Sequence, residues 1–184
     1  AVGTTLQAVC GTPVAGATTW VDRNNGYTTT QFYDGTVYPD GATYFGGMQD
    51  NGTQRGGLAS SAWTQILGGD GGYTAVDTRN DAVSTNDVLF AAFTGLSIRK
   101  STNGGATFAS AVSGISNSGF LFIAPVIMNQ GAKDQLWTGG SRLWRTVNQA
   151  VSWQGASATV PGNGSVSAIA AHPLDGNRVI AGTS

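Results

Sequence analysis

Glutamate is missing from this sequence altogether, and lysine occurs only as Lys100 and Lys133. Long helices draw on Glu, Lys, Leu and Ala, so this scarcity argues against a helical protein. Charge of either sign is sparse, and nine basic against ten acidic residues leaves a net charge of −1. Such a chain has no electrostatic footprint for a nucleic acid or an anionic membrane surface, and neither is expected as a partner. No apolar run approaches the ~20 residues that span a bilayer, so membrane insertion is not expected either. The opening residues Ala1 to Thr5 carry neither a basic nor an apolar leader segment, so any signal peptide is removed or lies outside this chain. The single cysteine, Cys10, cannot form an internal disulfide. With no basic neighbour to lower its pKa, it reads as a small buried apolar residue. The single histidine, His172, stands before Pro173 and reads as a surface turn residue. No Cys/His cluster suits zinc and no carboxylate-rich loop suits an EF-hand. No metal or cofactor is therefore expected, apart from a Ca²⁺ ion held by Asp70 or Asp77 with backbone carbonyls.

What the chain has in quantity is glycine, threonine, serine, alanine and asparagine, with apolar and aromatic residues recurring at intervals between them. A disordered chain would lack those regular apolar clusters. Short Val/Ile/Tyr/Phe/Trp runs between Gly/Asn/Asp/Ser punctuation indicate many strands in one domain with a sizeable core. The composition also resembles that of bacterial extracellular proteins, which makes a secreted location the expectation.

The runs repeat. Trp20, Trp63, Phe108 and Trp153 follow one another at spacings of 43, 45 and 45 residues. A second register, the pairs Tyr44-Phe45, Leu89-Phe90, Leu136-Trp137 and Val179-Ile180, has spacings of 45, 47 and 43. Two independent markers thus share one period. Each unit reads as a first strand (32–38, 73–76, 120–124, 166–170), a polar turn, and a second strand (42–47, 87–92, 135–139, 178–182). A shorter third strand follows at 96–100 and 142–146, and then a fourth that ends on the aromatic marker. Four short strands in about 45 residues is the pattern of a β-propeller blade, which becomes stable only when neighbouring blades stack on it. The expected fold is therefore all-β, a propeller of four four-stranded blades. The units are approximately 27–69, 70–113 and 118–160, with the last made of 165–184 and 1–20. That last blade would take its third and fourth strands from the N-terminus or from a neighbouring chain. Closure alone as a four-bladed ring, completion by further copies, and membership of a longer polypeptide all remain open. An unclosed blade presents strand edges that invite another chain, so self-association into a ring or filament is an expected partnership.

Residues 101–108 carry Ser101, Asn103, Gly105, Thr107 and Phe108 in a pattern that resembles the Asp-box, or BNR repeat, with Asn103 standing where the family has aspartate. Residues 146–153 give a second, weaker copy through Thr146, Asn148, Ser152 and Trp153. The hydroxyls and amides suit bonds to a hairpin backbone, glycine supplies positive φ, and the aromatic ring plugs between sheets. In the family this box is a folding element remote from the active site. The stretches 24–33, 46–53 and 68–73 are similar to secreted bacterial propellers of the sortilin and xyloglucanase type.

That resemblance implies a candidate chemistry. Xyloglucanase-type propellers carry a catalytic aspartate in a Gly-x-x-Asp-x-Gly setting, which Gly47 to Gly52 resembles, with Asp50 at the aspartate. Asp50-Asn51-Gly52 is equally an ordinary hairpin-turn sequence. Asp70 lies in the next glycine-rich turn and is the natural second carboxylate, since glycosidases flank the scissile bond with two. The full enzymes hold their second aspartate in a second propeller, which this chain lacks. A sialidase fits less well still, since that family uses an Arg triad and a Tyr–Glu pair and no Glu is present. Gln49, Asp50, Asn51, Arg55 and Asp70 form the candidate ligand-binding set, together with Trp137 and Trp144 as rings for sugar stacking. The two tryptophans read more naturally as core between blades. Asn51-Gly52-Thr53 and Asn163-Gly164-Ser165 are acceptor sequons for glycans. The first expectation for function is an extracellular non-catalytic module for structure or interaction. The alternative is a glycan-binding propeller or a glycoside hydrolase.

Overall fold

The computed structural model describes residues 30–38, 40–58, 60–77, 87–116 and 119–184. The expectations for Cys10, Trp20 and the N-terminal strands lie outside these residues. The described part falls within one compact unit, Gln31–Ser184, apart from Thr30.

The described residues are all-β, with no α-helix among them, and they build a β-propeller. The first sheet is an antiparallel meander of β1 (Phe32–Val37), β2 (Thr43–Met48), β3 (Gly52–Gly57) and β4 (Ser60–Leu67). The second contains β5 (Thr74–Val76), β6 (Leu89–Ala92), β7 (Ile98–Ser101) and β8 (Ala109–Ser110). The third contains β9 (Val126–Met128), β10 (Leu136–Gly139), β11 (Leu143–Thr146) and β12 (Gln154–Gly155). A fourth sheet pairs β13 (Val166–His172) with β14 (Asp175–Thr183). The first strands of successive sheets are neighbours, β1 beside β5, β5 beside β9 and β9 beside β13. Each meander therefore runs outward from a common axis.

The cores lie between sheets, as the stacking rule requires. Tyr38, Phe45, Val76 and Leu89 close the space between the first two sheets, with Ile66 and Phe108 against them. Phe90, Ile98, Val126, Met128, Leu136, Trp144 and Trp153 fill the space between the second and third. Full burial of one such side chain contributes about 1.5–3 kcal/mol, so these interfaces dominate stability. Close backbone approach completes the first interface. A Cβ on Gly47 would fall 1.8 Å from the carbonyl oxygen of Gly72, so no larger residue fits.

Two expectations are corrected. The stretch 120–124 is a turn, with Phe122 60% exposed, and the first strand of its sheet is β9 instead. Pro125 offers no N–H, so the ladder begins at Val126, which pairs with Thr138. The fourth strands β8 and β12 begin after Phe108 and Trp153 and do not end on them. The turn before each strand takes up the chain as far as the aromatic, which then plugs inward. Trp63 breaks that pattern. It lies within β4, is 40% exposed, and packs edge-on against Phe32 at 5.3 Å. In the first sheet β3 ends at Gly57 and β4 begins at Ser60, which leaves no room for an eight-residue turn.

Candidate functional site

Turns in a meander alternate between its two ends, so the propeller has two distinct faces. One face carries the second-to-third-strand turns at 49–51, 93–97 and 140–142, with the inter-sheet stretches 68–73, 111–116 and 119–125. The other carries the eight-residue turns at 101–108 and 146–153. The first is called the loop face below, the second the box face.

On the loop face, two glycine-rich stretches interlock. The Gly71 N–H donates to the Met48 carbonyl at 2.9 Å, and Gly52 bridges Asp70 in parallel. Asp50 occupies the β2–β3 turn at φ 59°, a left-handed conformation that aspartate tolerates better than most residues. Its N–H donates to Asp70 Oδ1 at 2.9 Å. Asp50 and Asp70, twenty residues apart in sequence, are thereby brought together. Asn51 joins them: its side-chain amide donates to the Gln49 carbonyl at 2.9 Å, and its own carbonyl accepts from Gln65 Nε2 at 2.9 Å. Gln54 Nε2 donates to that same carbonyl. Gln49, Asp50 and Asn51 are all exposed.

The remaining candidates lie apart. Arg55 sits midway along β3, its guanidinium 5.4 Å from the Phe45 ring centre. Trp137 and Trp144 are only 3% and 6% exposed and offer no free ring for stacking. Arg145 lies over Trp137 at 5.6 Å and Arg142 over Trp144 at 5.9 Å. Asp70 lies in the loop before β5, and Asp77 directly follows that strand. Asp77 is buried, and its carboxylate accepts from Gln149 Nε2 at 2.5 Å. No group of three metal-ligating side chains occurs among the described residues. His172 is exposed at the end of β13, where its Nδ1 accepts the Leu174 N–H at 3.2 Å. Asn51 and Asn163 are both exposed.

On the box face the two turns share one hydrogen-bond scheme. Ser101 Oγ donates to Asn103 Oδ1 at 2.8 Å and accepts the Gly105 N–H at 2.8 Å. Asn103 Oδ1 accepts the Thr107 N–H at 2.9 Å, while Asn103 Nδ2 donates to Thr107 Oγ1 at 2.9 Å. In the second turn Thr146 Oγ1 donates to Asn148 Oδ1 at 2.8 Å and accepts the Ala150 N–H at 3.1 Å. Asn148 Oδ1 accepts the Ser152 N–H at 3.0 Å, and Asn148 Nδ2 donates to Ser152 Oγ at 3.0 Å.

Several groups escaped the sequence reading. A cavity of about 200 Å³ opens beside the Asp70 loop, lined by Leu67, Gly68, Phe93, Ser97 and Arg99. Phe93 and Arg99 follow strand patterns that look purely structural in sequence. Asp34, on β1, lines a second cavity with Tyr73. Burial pushes the Asp34 carboxyl above the usual carboxylate range, against the opposing pull of hydrogen bonds from Thr74 and Gly35. Tyr73 is raised by burial and by the nearby Asp34 charge. The one available signal for Asp34 was a charged residue inside an apolar strand run.

No protein-family model and no curated protein sequence matches the chain. Solved structures do. An ancestral GH74 enzyme matches with TM-score 0.58 at 16% identity, over 78% of this chain and 21% of that one. A GH74 enzyme of Niastella koreensis matches with TM-score 0.59 at 21% identity, over 79% and 24%. The GH74 xyloglucanase from Xanthomonas campestris matches with TM-score 0.58 at 15% identity, over 83% and 27%. The chain thus spans about a fifth to a quarter of the length of these proteins, and what it shares with them is the fold.

Proposed function

We propose that this protein is a carbohydrate-directed β-propeller whose loop face binds polysaccharide, with Asp50 and Asp70 as the paired carboxylates of a glycoside hydrolase. The observation that carries this reading is the 2.9 Å hydrogen bond from the Asp50 N–H to Asp70 Oδ1. It ties the Asp70 carboxylate to the backbone of the turn that carries Asp50, so both acids belong to one interlocked pair of loops, with Asp50 exposed and Asp70 partly so. Glycoside hydrolysis asks for two such groups, one protonating the leaving oxygen and one serving as base or nucleophile. The left-handed backbone at Asp50 supports the reading, because residues in sparsely populated conformations cluster at functional sites. So does the neighbouring cavity with Phe93 and Arg99, an aromatic and a hydrogen-bond donor suited to a sugar. The likeness in fold to GH74 enzymes favours a carbohydrate target over the non-catalytic module first expected. Action outside the cell is part of the same proposal.

The test is reducing-end release from xyloglucan and related β-glucans. The native chain is expected to release reducing ends, and Asp50→Asn to lose at least about a hundredfold, within the range for removal of one acid–base group. Binding without turnover would reduce the proposal to a glycan-binding face. Neither binding nor turnover would defeat it.

Self-association is the second reading, supported by one feature. The nine-residue strand β14 pairs only with β13 among the described residues, and its Ile180 is exposed. A strictly monomeric chain in light scattering would remove it.

A further inference from the structure

The axis of the propeller holds a second candidate site, distinct from the loop-face turn. Three first strands, β1, β5 and β9, line a cavity of about 290 Å³. Its walls differ in character. On β1 and at β5 stand Asp34, Thr36, Tyr73 and Thr74, while β9 contributes Val126, Ile127 and Met128. The hydroxyls and the carboxylate thus stand on the β1 and β5 side, beside Val37, Ala75 and Val76, and β9 brings aliphatic side chains, with Gln130 just beyond it.

The polar wall is ordered before any ligand arrives. The Thr74 N–H donates to Asp34 Oδ2 at 2.8 Å, and Thr74 Oγ1 lies 3.3 Å from the same oxygen. Thr36 Oγ1 lies 2.9 Å from Thr74 Oγ1 and 2.9 Å from the Thr74 carbonyl oxygen. These bonds cross from the first sheet to the second, so the acid is fixed by two blades at once. Asp34 also sits where β1 departs from regular pairing, at the shift between Phe32 and Asp34. Such irregularities re-aim side chains. A half-buried carboxyl whose hydrogen bonds among the described residues include no cation is costly to keep and is a recognised mark of a binding site.

We propose that this axial cavity binds one neutral polyhydroxylated ring, a single sugar unit, with Asp34 accepting from its hydroxyls and the β9 wall covering its C–H face. A volume at the lower end of the usual ligand-pocket range of about 300–1,000 Å³ suits one ring and excludes a long chain. A free cation fits less well, because the cavity offers one carboxylate and an aliphatic wall where a hard ion needs six or more oxygens. The inference shares its ligand class with the proposed function but none of its residues.

The experiment is amide NMR of the full chain titrated with glucose, xylose and galactose in turn. Expected are shifts at Thr36, Thr74 and Ile127, with millimolar affinity for at least one sugar. Asp34→Asn, which still offers Thr74 an acceptor, should weaken that affinity about tenfold, the usual effect of losing one hydrogen bond to a charged group. Thr36→Val should weaken it less and serves as a second probe if Asp34→Asn does not fold. Shifts confined to 49–51 and 68–72 would overturn the axial site while sparing the proposed function. No shift at the axial residues with any of the three sugars, or unchanged affinity in a folded Asp34→Asn, would overturn it as well.

Discussion

The turns at 101–108 and 146–153 share their side-chain hydrogen bonds and differ in almost everything beneath them. The first uses Gly104 and Gly105 at φ 62° and 88°. The second makes the same bend with Gln149 and Ala150 at φ 53° and 60°, where side chains are strained. Tertiary contacts hold the second turn in place. Gln149 donates to Asp77 of the second sheet, and its carbonyl accepts from Lys100 Nζ at 3.0 Å. The supporting residues differ too. The Gly104 N–H donates to the Asp87 carbonyl at 3.1 Å and the Gln149 N–H to the Asp134 carbonyl at 2.8 Å. Asp87 is buried at 1% exposure with no hydrogen-bond partner for either carboxyl oxygen among the described residues, whereas Asp134 is exposed. One local scheme can thus be built from intrinsic backbone freedom or from a neighbouring blade.

The largest break in this comparison is expected at the aromatic plugs. Trp153 is buried and donates its indole N–H to the Ala111 carbonyl at 2.8 Å, while Phe108 is only half-buried. Trp153→Ala should destabilise the protein by about 3–5 kcal/mol and Phe108→Ala by less, as read from urea denaturation midpoints. Equal losses would show that the two plugs are interchangeable. Next in size is the backbone itself. A Cβ on Gly105 would lie 3.1 Å from Ile66 Cδ1 at φ 88°. Gly105→Ala should therefore lose about 1–3 kcal/mol. Ala150→Gly relieves strain but removes a buried methyl worth about 0.8 kcal/mol, so it should be nearly neutral.

The smallest effect depends on pH. Burial raises the Asp87 carboxyl above its ordinary value. Between the unfolded value of about 3.9 and the raised folded one, the native state binds more protons than the unfolded chain. Stability is therefore lost as pH rises through that window and is not regained above it. Asp87→Asn should be more stable than the native chain at pH 7, with the gain vanishing as pH approaches about 4. A pH-independent difference at Asp87 would contradict this account of its burial.

How much was legible in sequence follows from the same contrast. The repeat showed because second strands carry adjacent apolar residues for the interfaces on either side, as Leu89 and Phe90 do, although the last pair keeps the spacing with Ile180 exposed. Glycine-rich stretches at 46–52 and 68–72 stood out, and they interlock because backbone meets backbone there. Trp63 kept the spacing of Phe108 and Trp153 without their role, since period alone does not say which face of a strand a ring takes. The run 120–124 looked like a strand until Pro125 set where pairing starts. Asp34 and the Asp77–Gln149–Lys100 contacts were hidden because they join sheets through residues 40 to 72 positions apart. Nothing local marks such partners.

The central claim is that the loop face takes carbohydrate and the box face does not. Titrating xyloglucan oligosaccharides into the full chain and following its backbone amides by NMR tests this directly. The account predicts saturable shifts at 49–51, at 68–72 and at Phe93 and Arg99, with 101–108 and 146–153 unmoved. Shifts centred on those two turns, or none at all, would contradict it.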